Sequence, residues 1–227
     1  MFFDAGETLV HPHPTFPDLF AQILRREGYE VTPELVRERG HVVFDRFRAA
    51  AEDGELWTTS PERSKRFWHE VYEIFLRELG LTDANGLIDT VYREFTDLSN
   101  YRLFEDVPAV LERLQGAGLI LGVVSNFEAW LERLLDELGV TDYFAVRVVS
   151  GVEGMEKPDP RIFRLAMARA GVAPSDSVYV GDNPEFDVDP ALAVGMFSVL
   201  IDRRDRFPDA PGPRIVSMGE LPGVLGL

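Results

Sequence analysis

Polar side chains follow several apolar runs of this sequence. Asp4 follows a Phe-Phe pair, Ser125-Asn126 follows the run 119–124, and Asp182 follows Val-Tyr-Val-Gly. Asp187 comes five residues after Asp182, and Lys157 stands shortly before an Asp-Pro pair that is typical of a helix start. Because ligands bind at the carboxyl ends of the strands of an open parallel sheet, we expect these side chains to meet at one edge.

This set of side chains predicts a cation site beside an anion site. Carboxylate oxygens are hard ligands, and Mg²⁺ usually takes one or two of them together with waters and substrate oxygens. A hydroxyl and a lysine next to the metal would complete the anion site. The residue types therefore favour Mg²⁺ over a softer metal.

Each of these residues also has a plainer interpretation. Asp4 could mark an ordinary strand-to-turn junction, and Ser125 could cap the helix that follows it. Lys157 could lie on the surface, and Asp182 and Asp187 could cap a turn and a helix. We favour the site because the residues occur together, each at a predicted strand end or helix start.

Strands and helices alternate in the second half of the chain. Helical spacing of apolar residues begins near Val107, Leu131 and Pro160 and ends at glycines. Apolar or β-branched runs predict strands at 119–124, 145–149, 178–180 and 197–201. The repeated strand–helix units predict a doubly wound α/β core with a parallel sheet.

The first hundred residues have a different pattern. After a short strand that ends at Asp4, no further clear strand is expected until about residue 119. Helical spacing instead predicts about four helices, two of them opened by Thr32-Pro33 and Ser60-Pro61. We therefore expect residues 14–98 to form an all-helical insertion, while residues 1–13 and 99–227 form the α/β core.

Composition excludes several classes of function. The 227 residues include 39 acidic and 23 basic side chains, a formal net charge of −16, and no cysteine. Disulfides, thiolate catalysis and thiolate zinc sites are therefore excluded. The negative charge argues against nucleic acid or an anionic membrane as the main partner. With no apolar run of about 20 residues and no signal-peptide pattern, we expect a cytoplasmic protein.

Four motifs in order resemble the haloacid dehalogenase-like hydrolase superfamily across nearly the whole chain. They are Phe-Phe-Asp4-Ala-Gly-Glu-Thr8, Val-Val-Ser125-Asn126, Glu-Lys157-Pro-Asp-Pro and Val-Gly181-Asp182-Asn-Pro-Glu-Phe-Asp187. Each motif alone is weak, but their order and spacing together are specific. The resemblance implies a Rossmann-like core with a helical cap inserted after the first strand.

The resemblance also implies roles for these residues. Asp4 would attack phosphorus and form an aspartyl-phosphate, and Mg²⁺ would be held by Asp4, Asp182 and the backbone carbonyl of Gly6. Phosphoryl oxygens would be bound by three groups, namely Ser125, the amide of Asn126 and Lys157. Asp187 would orient metal waters or the lysine, and Thr8 would fix the turn after Asp4.

One position departs from the family pattern. Phosphatases of this kind usually carry a second Asp, a general acid and base, where this chain has Gly6. Glycine can offer its carbonyl to a metal but cannot transfer a proton, a loss of roughly 10²–10⁴-fold. Glu7 and a histidine from His11-Pro-His13 are the alternatives for that role.

We therefore expect a Mg²⁺-dependent hydrolase of a small phosphorylated metabolite. An alternative is a carbon–phosphorus hydrolase with Lys65, the one lysine of the insertion, as Schiff base. A carbon–halogen hydrolase is a further alternative, although dehalogenation needs no metal. A phosphate-binding module without turnover is the remaining alternative.

Overall fold

The computed structural model describes residues 1–83 and 85–227, which divide into two compact units. An α/β unit contains Met1–Val10 and Leu103–Leu227, and a helical unit contains His11–Arg102. No helix among the described residues has the length and apolarity needed to cross a membrane.

The described part of the helical unit contains five helices, where the sequence predicted about four. They are α1 Phe16–Arg26, α2 Pro33–Arg39, α3 His41–Glu52, α4 Pro61–Glu78 and α5 Leu87–Phe95. Thr32 and Ser60 cap α2 and α4 with their hydroxyls, as their sequence context predicts. The extra helix arises at Gly40, which divides a continuous helical pattern into α2 and α3.

Eight strands occur in the described residues. They are β1 Phe2–Phe3, β2 Val10–Pro12, β3 Tyr101–Leu103, β4 Leu121–Ser125, β5 Phe144–Val149, β6 Val178–Gly181, β7 Phe197–Ile201 and β8 Arg214–Ile215. Six of them form one parallel sheet in the order β5-β4-β1-β6-β7-β8. The expected parallel α/β core is therefore confirmed.

A second sheet was not expected, because no strand was predicted between Asp4 and about residue 119. Strands β2 and β3 pair there as a separate two-stranded sheet. Each has only three residues, which is too short for the alternation of polar and apolar residues to be visible in the sequence.

Six helices complete the described α/β unit. They are α6 Val107–Gly116, α7 Leu131–Glu137, α8 Ser150–Glu153, α9 Pro160–Ala170, α10 Asp189–Ala193 and α11 Leu221–Val224. The Asp159 side chain caps α9 by accepting a hydrogen bond from Arg161 N, as the Asp-Pro pair predicts.

The position of β1 in the sheet brings the predicted site together. Strand β1 lies between β4 and β6, with Phe2 opposite Gly122 on one side and Tyr179 on the other. Both phenylalanines of β1 are buried, which drives this short strand into the centre of the core. The carboxyl ends of the three central strands therefore lie side by side.

Candidate active site

Asp4 stands at the end of β1 with almost no solvent exposure. Its backbone N–H donates to Val180 O on β6 at 2.9 Å, which holds it beside that strand. Its Oδ1 accepts two hydrogen bonds, from Ser125 Oγ at 2.9 Å and from Lys157 Nζ at 2.7 Å. Burial raises the pKa of Asp4, Lys157 opposes this shift, and Asp187 adds to it.

Lys157 is buried among oxygen atoms. Its Nζ donates to Asp187 Oδ1 at 2.5 Å and to Tyr179 Oη at 3.1 Å, besides Asp4. Burial alone would lower the pKa of Lys157, but the carboxylates of Asp187 and Asp4 raise it above its ordinary value. The lysine is therefore a fixed positive charge, with all three of its N–H groups engaged.

Asn126 positions Lys157 by holding its backbone. The asparagine Oδ1 accepts from Lys157 N at 2.6 Å, and its Nδ2 donates to Lys157 O at 2.8 Å. This pair of hydrogen bonds connects the end of β4 to the segment before α9. The side chain of Asn126 thus has a clear structural role, which is separate from the role its backbone amide is expected to play toward phosphate.

Asp187 lies in a wide helical turn, Pro184–Val188, that follows β6. Besides Lys157, its Oδ1 accepts from Tyr179 Oη at 3.1 Å, and its Oδ2 accepts from Asn183 N at 3.0 Å. A Cβ atom at Gly181 would overlap the Asp187 side chain, so the close approach requires glycine. Both carboxylate oxygens of Asp187 therefore already have protein partners.

Asp182 completes a cluster of three carboxylates. One oxygen each of Asp4, Asp182 and Asp187 lie within 4.8 Å of one another. Asp182 Oδ2 accepts from an Arg206 Nη atom at 2.7 Å. Burial raises the pKa of Asp182 to about 7, Arg206 opposes this shift, and Asp187 and Asp4 add to it.

This cluster fits a divalent cation. Three hard oxygen ligands converge in a site where burial and mutual repulsion raise the pKa of Asp4 and Asp182, and a bound cation would relieve both effects. Lys157 and Arg206 compensate two of the three negative charges in the protein itself. One negative charge remains for the metal to offset.

The segment Asp202–Arg206 contributes side chains that the sequence analysis did not identify. Arg203 donates to Thr8 O at 3.0 Å and forms a paired contact with both oxygens of Asp106. Arg204 forms an ion pair with Glu7 at 2.8 Å, and Arg206 holds Asp182. The segment follows β7, so the rule that ligands meet at strand ends would have pointed to it.

The turn after Asp4 is held by its backbone. Leu9 N and Val10 N both donate to Ala5 O, at 2.8 and 2.9 Å. Thr8 is buried in this turn, and its hydroxyl has no hydrogen-bond partner among the described residues. The hydroxyl of Thr8 therefore does not hold the turn in this structure.

Gly6 lies beside open space. A Cβ atom built there would meet only an edge carbon of the Phe127 ring, at the ordinary contact distance of 3.8 Å. Its neighbour Glu7 has a φ of 56°, a left-handed conformation, and its carboxylate is directed to Arg204. Glu7 is thus committed to an ion pair.

The structure joins Asp4, Ser125, Lys157 and Asp187 by hydrogen bonds and ion pairs at the carboxyl edge of the sheet. Asp182 lies beside them, with a carboxylate oxygen within 4.8 Å of oxygens of Asp4 and Asp187. The other residues considered from the sequence, His11, His13 and Lys65, belong to the helical unit. Lys65 forms an ion pair there with Asp89 at 3.0 Å, and its side chain is 52% exposed.

Comparison with known proteins identifies the family. A model of haloacid dehalogenase-like hydrolases matches residues 1–195. A ribulose-1,5-bisphosphate 5-phosphatase of Halopiger xanaduensis is 34% identical over 210 residues, which cover 89% of this chain and 84% of the relative. The haloacid dehalogenase-like hydrolase domain-containing protein 3 of Mus musculus is 36% identical over 141 residues, 61% of this chain. The aligned part spans only 56% of that mouse protein.

Solved structures agree on the fold. A haloacid dehalogenase-like hydrolase of Bacillus subtilis, solved with bound magnesium, superposes with a TM-score of 0.78 at 20% identity, over 100% of this chain and 97% of that one. Other neighbours include both phosphatases and 2-haloacid dehalogenases, so the fold alone does not decide between these chemistries. The family model, the relatives and the parallel sheet together show that the chain belongs to the haloacid dehalogenase-like hydrolases.

Proposed function

We propose that the protein is a Mg²⁺-dependent phosphatase that hydrolyses a small phosphorylated metabolite through Asp4. The observation that carries this proposal is the buried Asp4 carboxylate, which is held by Ser125 and Lys157 within 4.8 Å of two further carboxylates. The relative named ribulose-1,5-bisphosphate 5-phosphatase, which aligns over most of both chains, supports the same reaction class.

Asp4 is the proposed nucleophile. Lys157 and Ser125 both hold its Oδ1, which leaves Oδ2 to attack phosphorus and form the aspartyl-phosphate. Water then hydrolyses this acyl phosphate, which releases inorganic phosphate and regenerates the carboxylate. Ser125, the Asn126 amide and the Lys157 ammonium are the proposed groups that bind phosphoryl oxygens, and the lysine charge would stabilise the transferring group.

Asp4, Asp182 and the Gly6 carbonyl are the proposed ligands of Mg²⁺. When bound, the ion would offset charge on the phosphoryl oxygens. Asp187 is proposed to act through Lys157, because its two oxygens are already bonded to that lysine, Tyr179 and Asn183 N. We further propose that the helical insertion, expected at residues 14–98, is a cap that selects the substrate.

A Schiff-base reaction on Lys65 has no support in the structure. An amine that forms such a base is activated by desolvation or by another cation, which lower its pKa. Lys65 is instead about half exposed, and its Nζ is paired with the carboxylate of Asp89 rather than with another cation.

The proposal is tested by measuring phosphate release from a set of generic phosphate esters, with Mg²⁺ and with a chelator. We expect release only with Mg²⁺, and a loss of more than about 10³-fold in kcat/KM in Asp4→Asn because the nucleophile is removed. Lys65→Met is the matched control and should keep wild-type activity toward these esters. Equal turnover by wild type and Asp4→Asn would overturn the proposal.

A further inference from the structure

Arg206 is paired with a carboxylate that is a proposed metal ligand. One of its Nη atoms donates to Asp182 Oδ2 at 2.7 Å, and a longer contact of 3.4 Å reaches the backbone carbonyl of Asp182. The side chains of the arginine and the aspartate are 24% and 15% exposed, so water and salt screen their attraction only in part. Arg206 therefore already supplies positive charge to a carboxylate that a cation would bind.

The segment after β7 holds Arg206 by its backbone and by its head group. Asp202 is fully buried, and its carboxylate accepts from the backbone N–H groups of Arg206 and Phe207, at 2.8 Å each. The same carboxylate is paired with the guanidinium of Arg214, which offsets its charge. The Arg206 guanidinium lies 5.3 Å from the centre of the Phe207 ring. The contact with Asp182 is thus supported from several sides, unlike an isolated surface ion pair.

Arg206 and a divalent cation would act on the same negative charge. Lys157 and Arg206 oppose the three carboxylates of the cluster, so removal of the arginine would leave one more negative charge uncompensated. A more negative site attracts a divalent cation more strongly, because the Coulomb energy scales with the product of the charges. In the metal-free protein, the same removal leaves Asp182 without its counter-ion and lowers stability.

We propose that Arg206 is a counter-ion that takes the place of the metal at Asp182, so that it stabilises the metal-free protein and weakens the binding of Mg²⁺. This inference rests on the proposed Mg²⁺ site. Arg206 is a positioning residue in this account, because it acts on the metal through Asp182. The two effects have opposite signs. An arginine that only supported the fold would, when removed, weaken both stability and metal binding.

The test compares wild type with Arg206→Gln, which keeps a polar side chain but removes the charge. Calorimetry measures the affinity for Mg²⁺, and thermal unfolding is followed in chelator and at one fixed Mg²⁺ concentration. We expect Arg206→Gln to bind Mg²⁺ at least about tenfold more tightly. Its Tm in chelator should be lower by at least about 2–4 °C. The rise in Tm on adding Mg²⁺ should be larger in this variant than in wild type.

Two further variants separate charge from structure. Arg206→Lys keeps the positive charge and should bind Mg²⁺ within about threefold of wild type. Arg204→Gln is the matched control from the same segment, because Arg204 forms a 2.8 Å ion pair with Glu7 and is 41% exposed. Glu7 is not one of the three clustered carboxylates, so the affinity of this variant should also stay within about threefold of wild type.

The outcomes separate this inference from the proposed function. Unchanged or weaker Mg²⁺ binding in Arg206→Gln would overturn the inference and leave the Mg²⁺ site in place, as would an equal gain in Arg206→Lys. If Arg206→Gln is unfolded in Mg²⁺ as well as in chelator, the arginine supports the fold alone, and the inference is also overturned. If wild type binds no Mg²⁺, the proposed function fails, and the inference fails with it.

Discussion

Lys157 is the residue on which the charge balance of the site most depends. Its ammonium is buried and lies 2.7 Å from one carboxylate and 2.5 Å from another. Two carboxylates without it would face each other in a desolvated site, where uncompensated charge is expensive. Lys157 therefore stabilises the fold and the reactive form of Asp4 at the same time.

Replacing Lys157 by Met should lower the free energy of unfolding by about 3–5 kcal/mol, because two buried carboxylates lose their counter-ion. Urea unfolding measured in the absence of metal checks this value. Lys65→Met removes the only other lysine, whose ion pair is exposed to solvent, and should unfold like wild type. A Lys157→Met protein as stable as wild type would show that Lys157 is not needed to compensate the buried carboxylates of Asp4 and Asp187.

At the scale of elements, the short strands fix the position of the site, and the segments that follow them carry its polar side chains. Strand β1 has two residues, yet β4 and β6 on either side hold Asp4 in place. The turn Pro184–Val188 returns Asp187 against Gly181 at the end of β6, and the segment after β7 brings Arg206 to Asp182. The site is thus assembled from four strand ends.

The contact between the end of β6 and the following turn leads to a prediction for Gly181→Ala. Its Cβ would overlap the Asp187 side chain, so we expect a loss of about 1–3 kcal/mol in the free energy of unfolding and weaker Mg²⁺ binding. Chemical denaturation and calorimetric titration with Mg²⁺ measure the two effects. Gly6→Ala, which has open space, should change stability by less than about 0.5 kcal/mol. Similar stability losses in both variants would argue against a specific contact with Asp187.

At the scale of the whole molecule, the formal charge of −16 opposes the binding of any anion. The site itself is closer to neutral than its carboxylates suggest, because Arg206 joins Lys157 against Asp4, Asp182 and Asp187. A divalent cation would turn the local balance positive, which an incoming phosphate requires.

We therefore expect inorganic phosphate to bind measurably only when Mg²⁺ is present, as followed by calorimetry with the metal or with a chelator. Mg²⁺ binding should weaken as the pH is lowered from about 8 to about 6. Burial raises the pKa of Asp182 to about 7, so its ligand oxygen becomes protonated across this range. Phosphate binding of equal strength in chelator, or Mg²⁺ binding that does not change with pH, would contradict this account.

Much of the architecture could be predicted from local patterns. Buried parallel strands are continuous apolar runs, and the Thr-Pro, Ser-Pro and Asp-Pro helix starts each predicted a cap that the structure contains. The general rule that ligands meet at strand ends selected Asp4, Ser125, Asp182 and Asp187, and Lys157 was added from its place before a helix. Each of these signals is contained within a few consecutive residues, so no tertiary information was needed to recognise it.

The pairing partners could not be predicted, because they depend on which distant segments become neighbours. Arg206 is 24 residues from Asp182 and Arg204 is 197 residues from Glu7, and nothing local connects them. The strands β2 and β3 are likewise stabilised by each other across about ninety residues. Local propensity depends on each residue and its near neighbours in the chain. The charge and the protonation state of the site instead depend on burial and on contacts that exist only once the sheet has formed.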